Sequence, residues 1–370
     1  MQKYVELLRD PMQVKPESLR AARQKSSSTP PHVYRLNYNE SPYGLGPASQ
    51  AALEEAIKTP YIYPDWFSVE LKTNLAKLYD MKFENVVVGP GSSAMINMLG
   101  ELFINPGDEF IFGDPSYEAF RDVANDYGAV TVPIPLDDDM NYDLDAMLAA
   151  ITDKTKILVV VNPNNPTGTY IDSAKLEAFI RKIPKHVITV IDEAYMEFVT
   201  DEKSYSMMKL IKEGIDKPLI IMRTFSKIYG MAGLRVGYAI TDPDMADHFG
   251  KSSNAWNVSF IGQKTAAAAI ADQDHVSAVR DINAQERIKV TDALRDLGCR
   301  VFDSQANFIL FKAPIDNMTV YSKLEEKDVL IGAPISMNRV SLGKPEMNEK
   351  FLQIMREILA DAALCEKNPA

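Results

Sequence analysis

Residues 85–99, NVVVGPGSSAMINML, combine a short apolar run with a glycine-led helix start. Three consecutive valines predict a buried strand, and the serines that follow can open a helix. Gly89, Gly91 and Ala94 fit the spacing G-x-G-x-x-A of a dinucleotide-binding turn. Asp114 lies twenty residues beyond Ala94, at the position where an acidic residue of such a unit binds the ribose. Alone, this stretch predicts a strand, a phosphate-binding turn and a helix, the first unit of an α/β sheet.

Bulk properties favour a two-domain enzyme that acts on small molecules. The 370 residues exceed the size, about 250 to 300 residues, at which single cores stop growing. A formal net charge of -11 argues against nucleic acid or an anionic membrane as partner, because both require a basic face. We find no signal peptide and no apolar run long enough to span a bilayer, so we expect a cytoplasmic protein.

Cysteines and histidines are few and scattered. No C-x-x-C pair and no Cys/His cluster occurs, so we expect neither a disulfide scaffold nor a metal site. The histidines have no motif around them and are expected to be structural or on the surface. The residues are Cys299, Cys365, His32, His186, His248 and His275.

Seven candidate strands between residues 85 and 240 alternate with helix-length segments. Because these strands are continuously apolar, they predict a mostly parallel sheet covered by helices on both faces, an α/β domain with three layers, α/β/α. The segments are NVVVG, EFIFGD, AVTVPI, KILVVVN, HVITVID, LIIMRT and RVGYAI.

The chain changes character near Ala255, where long polar helices and a few short strands begin. This part predicts a smaller α+β domain, ending in a helix from Glu346. The polar segment 20–31 reads as an arm that follows an N-terminal helix and packs with the small domain. The expected units are an N-terminal arm at 1–45, a large domain at 46–254 and a small domain at 255–370.

Polar groups follow several of the predicted strands. Where parallel strands end, functional groups gather, so these residues are candidates for a site. Each also has a simpler interpretation: Asp192 as a helix cap, NNPTG at 164–168 as a turn, Lys227 as a surface lysine and Arg235 as a surface ion-pair partner.

Taken together, these groups resemble the fold-type I pyridoxal-phosphate (PLP) enzymes of aminotransferase class I/II, and within them the histidinol-phosphate aminotransferase subfamily. The resemblance spans nearly the whole chain, from NYNESPYG at 37–44 to RVSLG at 339–343. It implies a seven-stranded sheet in the large domain. The matching features are the helix start at 89–94, Tyr117, NNPTG at 164–168, DEAY at 192–195, Lys227 and Arg235.

The resemblance implies a role for each residue at the cofactor ring. Lys227 would bind PLP covalently, and Asp192 would pair with the ring nitrogen and keep it protonated. Asn165 and Tyr195 would hydrogen-bond the ring's 3-oxygen, and Tyr117 would stack on the ring. Lys227, Asp192 and Tyr195 are the catalytic candidates.

The resemblance also implies a phosphate site shared between two subunits. Helix-terminal amides, hydroxyls and one guanidinium would hold the phosphate. Tyr63, in YIYPDW, would reach it from the neighbouring subunit, which implies a homodimer. The phosphate-binding candidates within one chain are Ser92, Ser93, Thr224, Ser226 and Arg235.

On the substrate side, Arg339 would grip a carboxylate or phosphate, and Tyr43 and Asn257 would line the pocket. The implied reaction moves an amino group between an amino donor and a 2-oxo acid such as 2-oxoglutarate. Histidinol-phosphate aminotransferases usually carry a second arginine shortly before this one, but Gly332 stands there in KDVLIGAPISMNR. The donor therefore stays open among histidinol phosphate, an aromatic amino acid and another L-amino acid.

Three alternatives have distinct sequence requirements. Another PLP reaction at Cα, decarboxylation or racemisation, needs only a different bond orientation on the same fold. A non-catalytic sensor needs a DNA-binding module, for which we find no room, and has no use for Lys227 and Asp192. A NAD dehydrogenase needs Asp114 on a ribose, but Asp114 lies in GDPSY, where a turn is the simpler role.

Overall fold

The structure is a computed structural model that describes residues 33–332 and 336–367, with side chains up to residue 361. The predicted N-terminal helix, the segment 20–31, His32 and the side chain of Cys365 lie outside the described residues. The strands are β1 (Tyr34–Leu36), β2 (Val86–Gly89), β3 (Glu109–Asp114), β4 (Val130–Pro135), β5 (Thr155–Val161), β6 (Ile188–Asp192), β7 (Leu219–Thr224), β8 (Gly237–Thr241), β9 (Arg300–Val301), β10 (Phe308–Lys312), β11 (Val329–Ile331) and β12 (Asn338–Ser341).

Helices cover and connect these strands, and none in the described ranges is long and apolar enough to cross a membrane. Short 3-10 helices lie at Phe83–Asn85, Met196–Phe198 and Ala232–Leu234. The α-helices are α1 (Pro47–Ala56), α2 (Val69–Tyr79), α3 (Ser92–Phe103), α4 (Glu118–Asp126), α5 (Leu144–Ala149), α6 (Ser173–Lys182), α7 (Met208–Lys212), α8 (Pro243–Ser252), α9 (Phe260–Ala269), α10 (Gln273–Asp296), α11 (Asn317–Glu325) and α12 (Pro345–Lys367).

All seven predicted strands join one sheet, in the order β2-β8-β7-β6-β5-β3-β4. The sheet is parallel except for β8, which runs antiparallel to β2 and β7. The central strands are buried along nearly their whole length, as their continuous apolar sequence predicts, whereas the edge strand β4 is half exposed. The prediction of a mostly parallel, seven-stranded α/β sheet is confirmed.

The register of the sheet brings three chain segments to one edge. Val161, at the end of β5, pairs with Asp192, at the end of β6, and Asp192 pairs with Met222 near the end of β7. The segments that follow these strands therefore emerge side by side. At the far end of the same edge, Gly237 of β8 pairs with both Gly89 of β2 and Thr224 of β7.

A second hydrophobic core, with Phe311, Val340 and Phe351 at its centre, lies under two small sheets. One is antiparallel, with the order β12-β10-β9, and the other is the parallel pair β1-β11. Through β1, Leu36 packs in this smaller core.

Both hydrophobic cores receive residues from α10. Its first half packs in the larger core through Val276 and Val279, and its second half packs in the smaller core through Val290 and Leu294. α9 also belongs to the larger core and packs against α1 and α2. The boundary at Ala255 stays a prediction, but the hydrophobic packing favours a boundary inside α10.

Candidate active site

A cavity of about 570 Å³ opens where these strands end and the smaller core approaches. Most of the predicted site residues line it, although they are scattered over two hundred and fifty positions of the sequence, from 92 to 339. A second cavity, of about 550 Å³ beside Asp139 and Arg300, contains none of them. The predicted residues that line the first cavity are Ser92, Ser93, Tyr117, Asn165, Asp192, Tyr195, Thr224, Ser226, Lys227, Arg235 and Arg339.

One end of the cavity is a cradle formed by the start of α3, β8 and Arg235. A Cβ atom on Gly237 would lie 2.5 Å from the backbone nitrogen of Ser92, and one on Gly91 would lie 2.5 Å from Nη2 of Arg235. Glycine is therefore required at both positions for the backbone and the guanidinium to approach so closely. Gly91 also has a φ of +85°, in the region that favours glycine.

The cradle has the chemistry of an anion site. The first amides of α3 have no partner within the helix and carry the positive end of its dipole. The Arg235 guanidinium, which donates to Ser226 Oγ at 3.4 Å and to the Ala232 carbonyl at 2.9 Å, adds a full positive charge. Backbone amides, hydroxyls and a guanidinium converging on one spot fit a phosphate dianion.

Asp192 ends β6 at the floor of the cavity and is 3% exposed. Its Oδ1 accepts a hydrogen bond of 3.0 Å from the backbone N–H of Ala194. Burial raises the pKa of Asp192 to about 6, against the lowering effects of that hydrogen bond and of the Lys227 charge. A cation placed against this carboxylate would favour its ionised form.

Lys227 follows β7 and extends its amine into the cavity. The Nζ atom donates to the carbonyl of Tyr38 at 3.1 Å and lies 5.5 Å from the centroid of the Tyr195 ring. Burial first, and then the positive charges of Arg339 and Arg235, lower the pKa of Lys227 to about 8. A larger fraction of this amine than of an ordinary lysine is therefore neutral, and nucleophilic, near neutral pH.

Tyr195 is buried between Lys227 and Phe308. Its ring packs edge-on against Phe308 at 5.0 Å between centroids. Its hydroxyl accepts a hydrogen bond of 3.1 Å from Nδ2 of Asn39, and burial raises the pKa of Tyr195 to about 12. The phenol therefore keeps its proton over the whole physiological pH range.

Arg339 reaches the cavity from β12. Nη1 donates to Oδ1 of Asn165 at 2.6 Å, and Nη2 donates to the carbonyl of Asn37 at 2.8 Å. The Nε atom is buried and has no hydrogen-bond partner among the described residues. Arg339 thus joins three chain segments at the wall of the cavity.

Gly332 lies beside the Arg339 guanidinium, at the position where a second arginine is usual in histidinol-phosphate aminotransferases. A Cβ atom at position 332 would lie 3.1 Å from Nε and 3.2 Å from Nη2 of Arg339. The Gly332 amide also donates to the Arg339 carbonyl at 2.8 Å. A side chain at this position would therefore press on the Arg339 guanidinium in its present position.

Three predicted residues do not line the cavity. Tyr63 is 76% exposed, and its ring contacts Trp256, with 5.1 Å between centroids. Tyr43 packs against the larger core, and its buried hydroxyl has no partner among the described residues. Asn257 uses its amide locally, donating to Ser253 Oγ at 2.6 Å. Within one subunit, Tyr43 and Asn257 are not among the residues that line this cavity, and their role in substrate binding stays a prediction.

Several lining residues were not assigned from the sequence. Tyr38, Asn39 and Glu40 belong to the NYNESPYG stretch that carries part of the resemblance, so that stretch was the available signal. Glu118, the first residue of α4, had no signal besides its position after Tyr117.

Asp114 has a structural role. It ends β3, and its Oδ1 lies 2.7 Å from Nη2 of Arg121. It does not line the main cavity, so it is not placed to bind a ribose there. The dinucleotide interpretation of residues 85–99 is therefore wrong, although the anion site at the start of α3 is present.

The residues of the cavity fit PLP. The cradle matches a phosphate, the Asp192 carboxylate matches a protonated ring nitrogen, and the partly neutral Lys227 amine matches an aldehyde. The amide of Asn165 and the hydroxyl of Tyr195 border the same space. The Arg339 guanidinium, which lines the same cavity, suits a substrate carboxylate or phosphate.

Comparison with known proteins agrees with this fit. The sequence pattern of the family "Aminotransferase class I and II" matches residues 31–354. A histidinol-phosphate aminotransferase of Moorella thermoacetica is 36% identical over 89% of this chain and 86% of its own length. An aromatic amino acid aminotransferase of Mycobacteroides abscessus is 36% identical over 94% of this chain and 99% of its own.

A solved structure gives the same result for the fold. The histidinol-phosphate aminotransferase of Sinorhizobium meliloti, in complex with pyridoxal-5'-phosphate, superposes with a TM-score of 0.85 at 26% identity, over 98% of each chain. The chain therefore belongs to the class I and II aminotransferases and is a PLP-dependent transaminase close to the histidinol-phosphate subfamily.

Proposed function

We propose that this transaminase takes its amino group from an L-α-amino acid with an uncharged side chain, such as an aromatic one, and passes it to a 2-oxo acid. The observation that carries the proposal is that Gly332, which has no side chain, pairs with Arg339 at the cavity wall and leaves a single guanidinium there. In the described lining the cations are Lys227, Arg235 and Arg339. Since the cofactor engages the first two, Arg339 alone remains for the substrate.

The acidic residues on the same wall strengthen this choice. Glu118 and Glu40 both line the cavity, and Glu40 is paired with Arg35 at 2.9 Å. A phosphate dianion would meet these carboxylates and a single guanidinium, whereas an α-carboxylate needs only one guanidinium in a two-pronged bond. Tyr38, Leu310 and Met337 add apolar surface for a neutral side chain.

We propose that Lys227 holds the cofactor covalently and, after the amino substrate releases it, moves the proton of the substrate Cα. When bound, PLP supplies the electron sink for that carbanion. The carboxylate of Asp192 would maintain the positive charge on the ring nitrogen, and Asn165 and Tyr195 would hold the 3-oxygen. Because the pKa of Lys227 is lowered to about 8, its amine can act as a base near neutral pH.

Arg339 has the orienting role in this scheme. By gripping the substrate carboxylate it would fix which Cα bond stands perpendicular to the ring, and that bond breaks. The hydrogen bonds of Arg339 to Asn165 and to the Asn37 carbonyl support such a fixed orientation.

A second candidate donor is histidinol phosphate, because relatives at 36% identity carry that name. Initial rates should be measured with purified holoenzyme and 2-oxoglutarate for histidinol phosphate and for aromatic, aliphatic and acidic L-amino acids. We expect kcat/KM to be at least about tenfold higher for a neutral amino acid than for histidinol phosphate, because one charged partner fewer costs on the order of 1.4 kcal/mol. A preference for histidinol phosphate would refute the proposed donor.

The same assay, repeated without 2-oxoglutarate, tests the reaction itself. Transamination stops after one half-turnover when no acceptor is present. Continued release of carbon dioxide, or an inverted amino acid without any 2-oxo acid product, would instead indicate decarboxylation or racemisation at Cα.

We also propose a homodimer in which Tyr63 completes the phosphate site of the partner subunit. An exposed aromatic patch, Tyr61, Tyr63, Trp66, Phe67 and Trp256, supports this, because apolar patches of this kind mark interfaces. We place the protein in the cytoplasm, where a free thiol such as Cys299 stays reduced.

Mixed subunits test the shared site. Tyr63→Ala and Lys227→Ala subunits should each be impaired, but a heterodimer of the two would contain one site with both residues intact. Unfolding and refolding the mixture should therefore restore activity that neither variant shows alone. No recovery from a mixture shown by mass spectrometry to contain heterodimers would refute the role of Tyr63.

A further inference from the structure

Asn39 uses all its polar groups to tie three parts of the molecule together. It is 2% exposed, and its backbone has a φ of +55°. Its Nδ2 donates to the Tyr195 hydroxyl at 3.1 Å, and its carbonyl accepts from Nδ2 of Asn307 at 3.1 Å. Its backbone N–H donates to Ser341 Oγ at 2.8 Å, and Ser341 Oγ lies 2.9 Å from its Oδ1.

The amide of Asn39 is placed with its oxygen toward Ser341 and its NH₂ group toward Tyr195. Ser341 Oγ accepts the backbone N–H of Asn39 and donates its own proton to Oδ1 of Asn39. Because the Tyr195 oxygen accepts a proton from Asn39, the phenolic proton must point elsewhere.

The remaining surroundings of Tyr195 indicate where that proton points. The residue lines the cavity, and its ring lies 5.5 Å from the Lys227 amine. The phenol also stays protonated, since burial raises the pKa of Tyr195 to about 12. Its proton is thus available to an acceptor inside the cavity, on the side where the cofactor's 3-oxygen is expected.

The same two segments hold the substrate arginine. The carbonyl of Asn37 accepts from Arg339 Nη2 at 2.8 Å, and Arg339 precedes Ser341 by two positions on β12. The direction of the Tyr195 proton therefore depends on contacts that exist only while the segment 37–39, β12 and the larger core are packed together.

We propose that Asn39 is a positioning residue: by donating to the Tyr195 oxygen, it directs the phenolic proton toward the 3-oxygen of the cofactor and so tunes the acidity of the nitrogen that links Lys227 to it. This inference rests on the roles proposed for Tyr195 and Lys227. A hydrogen bond donated to the 3-oxygen stabilises its anion, and the linking nitrogen then loses its proton at lower pH.

The isosteric variant Asn39→Asp gives the decisive test. Aspartate keeps an acceptor for Ser341 but replaces the NH₂ group with an oxygen, which would accept the phenolic proton and turn it away from the cofactor. In Asn39→Ala the proton stays free to reach the cofactor. We therefore expect the absorbance midpoint of the lysine-bound cofactor, titrated with pH without substrate, to rise by about one unit in Asn39→Asp, a tenfold change, and by less in Asn39→Ala.

A Tyr195→Phe background separates proton direction from added charge. If Asn39→Asp acts through the phenolic proton, its shift disappears in Asn39→Asp/Tyr195→Phe, whereas a direct effect of the new carboxylate persists. Thermal melting of each apoprotein identifies variants that fail to fold, and Ser341→Ala, which releases the amide orientation, then serves as the second variant, with a smaller upward shift expected.

The possible outcomes distinguish failure of the role proposed for Asn39 from failure of the role proposed for Tyr195. If Tyr195→Phe leaves the titration unchanged, the proposed role of Tyr195 fails. If Tyr195→Phe raises the midpoint but Asn39→Asp does not, or if Asn39→Ala shifts it more than Asn39→Asp, Asn39 has only a structural role and this inference is overturned.

Discussion

The two ends of the cavity are built in different ways. At the cofactor end, Asp192 and Thr224 close adjacent strands of one sheet, and the cradle at α3 is fixed by the pairing of Gly89 with Gly237. At the substrate end, Arg339 is held by Asn165 and by the Asn37 carbonyl, which belong to different parts of the chain. The first end is set by strand register, and the second depends on how the two cores pack together.

This difference has a functional consequence. A buried sheet edge holds the side chains on it with little freedom. Substrate choice can change by altering a few side chains on separate segments without disturbing that edge. We therefore expect all-or-none effects from substitutions at the cofactor end and graded effects at the substrate end.

Lys227→Ala should produce the largest effect. Loss of both the covalent link and the proton-transfer group should reduce transamination by about 10⁴-fold or more. The visible absorbance band of the lysine-bound cofactor should disappear in the same variant. Initial rates and absorbance spectra at saturating PLP measure both effects.

The matched control is Lys175→Ala, in the exposed N-terminal part of α6. It should keep both the absorbance band and the rate. If Lys227→Ala retained activity within tenfold of the wild type, the expectation of all-or-none effects at the cofactor end would be wrong.

Arg339→Gln should have the next largest effect. The variant keeps hydrogen-bond donors but loses the charge, and truncating a buried charge pair costs about 2–5 kcal/mol. We expect KM for the amino donor to rise about 100-fold, while the absorbance of the bound cofactor stays unchanged. Steady-state kinetics and cofactor titration check the two halves separately, and a lost absorbance band would show that the two ends are not independent.

The sequence predicted the cofactor end far better than the substrate end, for a physical reason. Apolar strands can be predicted from their composition, and Asp192 and Lys227 lie at or just after the ends of two of them. Because the strands are parallel neighbours in one sheet, the two side chains lie close together. Asn39 lies in a stretch that matched the family, but its place beside the cavity depends on hydrogen bonds to Tyr195, Asn307 and Ser341, which lie far away in the sequence and which no local pattern encodes. For the same reason, Tyr43 and Asn257 matched a motif but not the cavity.

Asp192→Asn tests how much the buried charge of Asp192 lowers the stability of the apoprotein. The pKa of Asp192 is raised from 3.8 to about 6 in the folded chain, so the folded state binds more protons than the unfolded state between these values. Stability therefore falls as pH rises through this window. Asparagine keeps an acceptor for the Ala194 amide and carries no charge. We expect apo Asp192→Asn to be more stable than the wild-type apoprotein by about 1–3 kcal/mol at pH 8.

Urea titration of both apoproteins at pH 8 and near pH 4 measures this difference, which should be much smaller at the lower pH. Activity should fall at the same time, because the ring nitrogen loses its anionic partner. Equal stability of the two apoproteins at pH 8 would mean that the empty site does not penalise the buried charge.

Gly332→Ala should have the smallest effect and is the most direct test of a graded substrate end. The added methyl group would lie 3.1 Å from Nε and 3.2 Å from Nη2 of Arg339, so the guanidinium must shift by a few tenths of an ångström. We expect KM for the amino donor to rise by about three- to tenfold with little change in cofactor affinity. Gly250→Ala in α8, where a Cβ atom meets nothing within 4 Å, is the control and should leave KM unchanged. Identical kinetics in the two variants would show that Arg339 adjusts freely, and the contact with Gly332 would then not limit substrate choice.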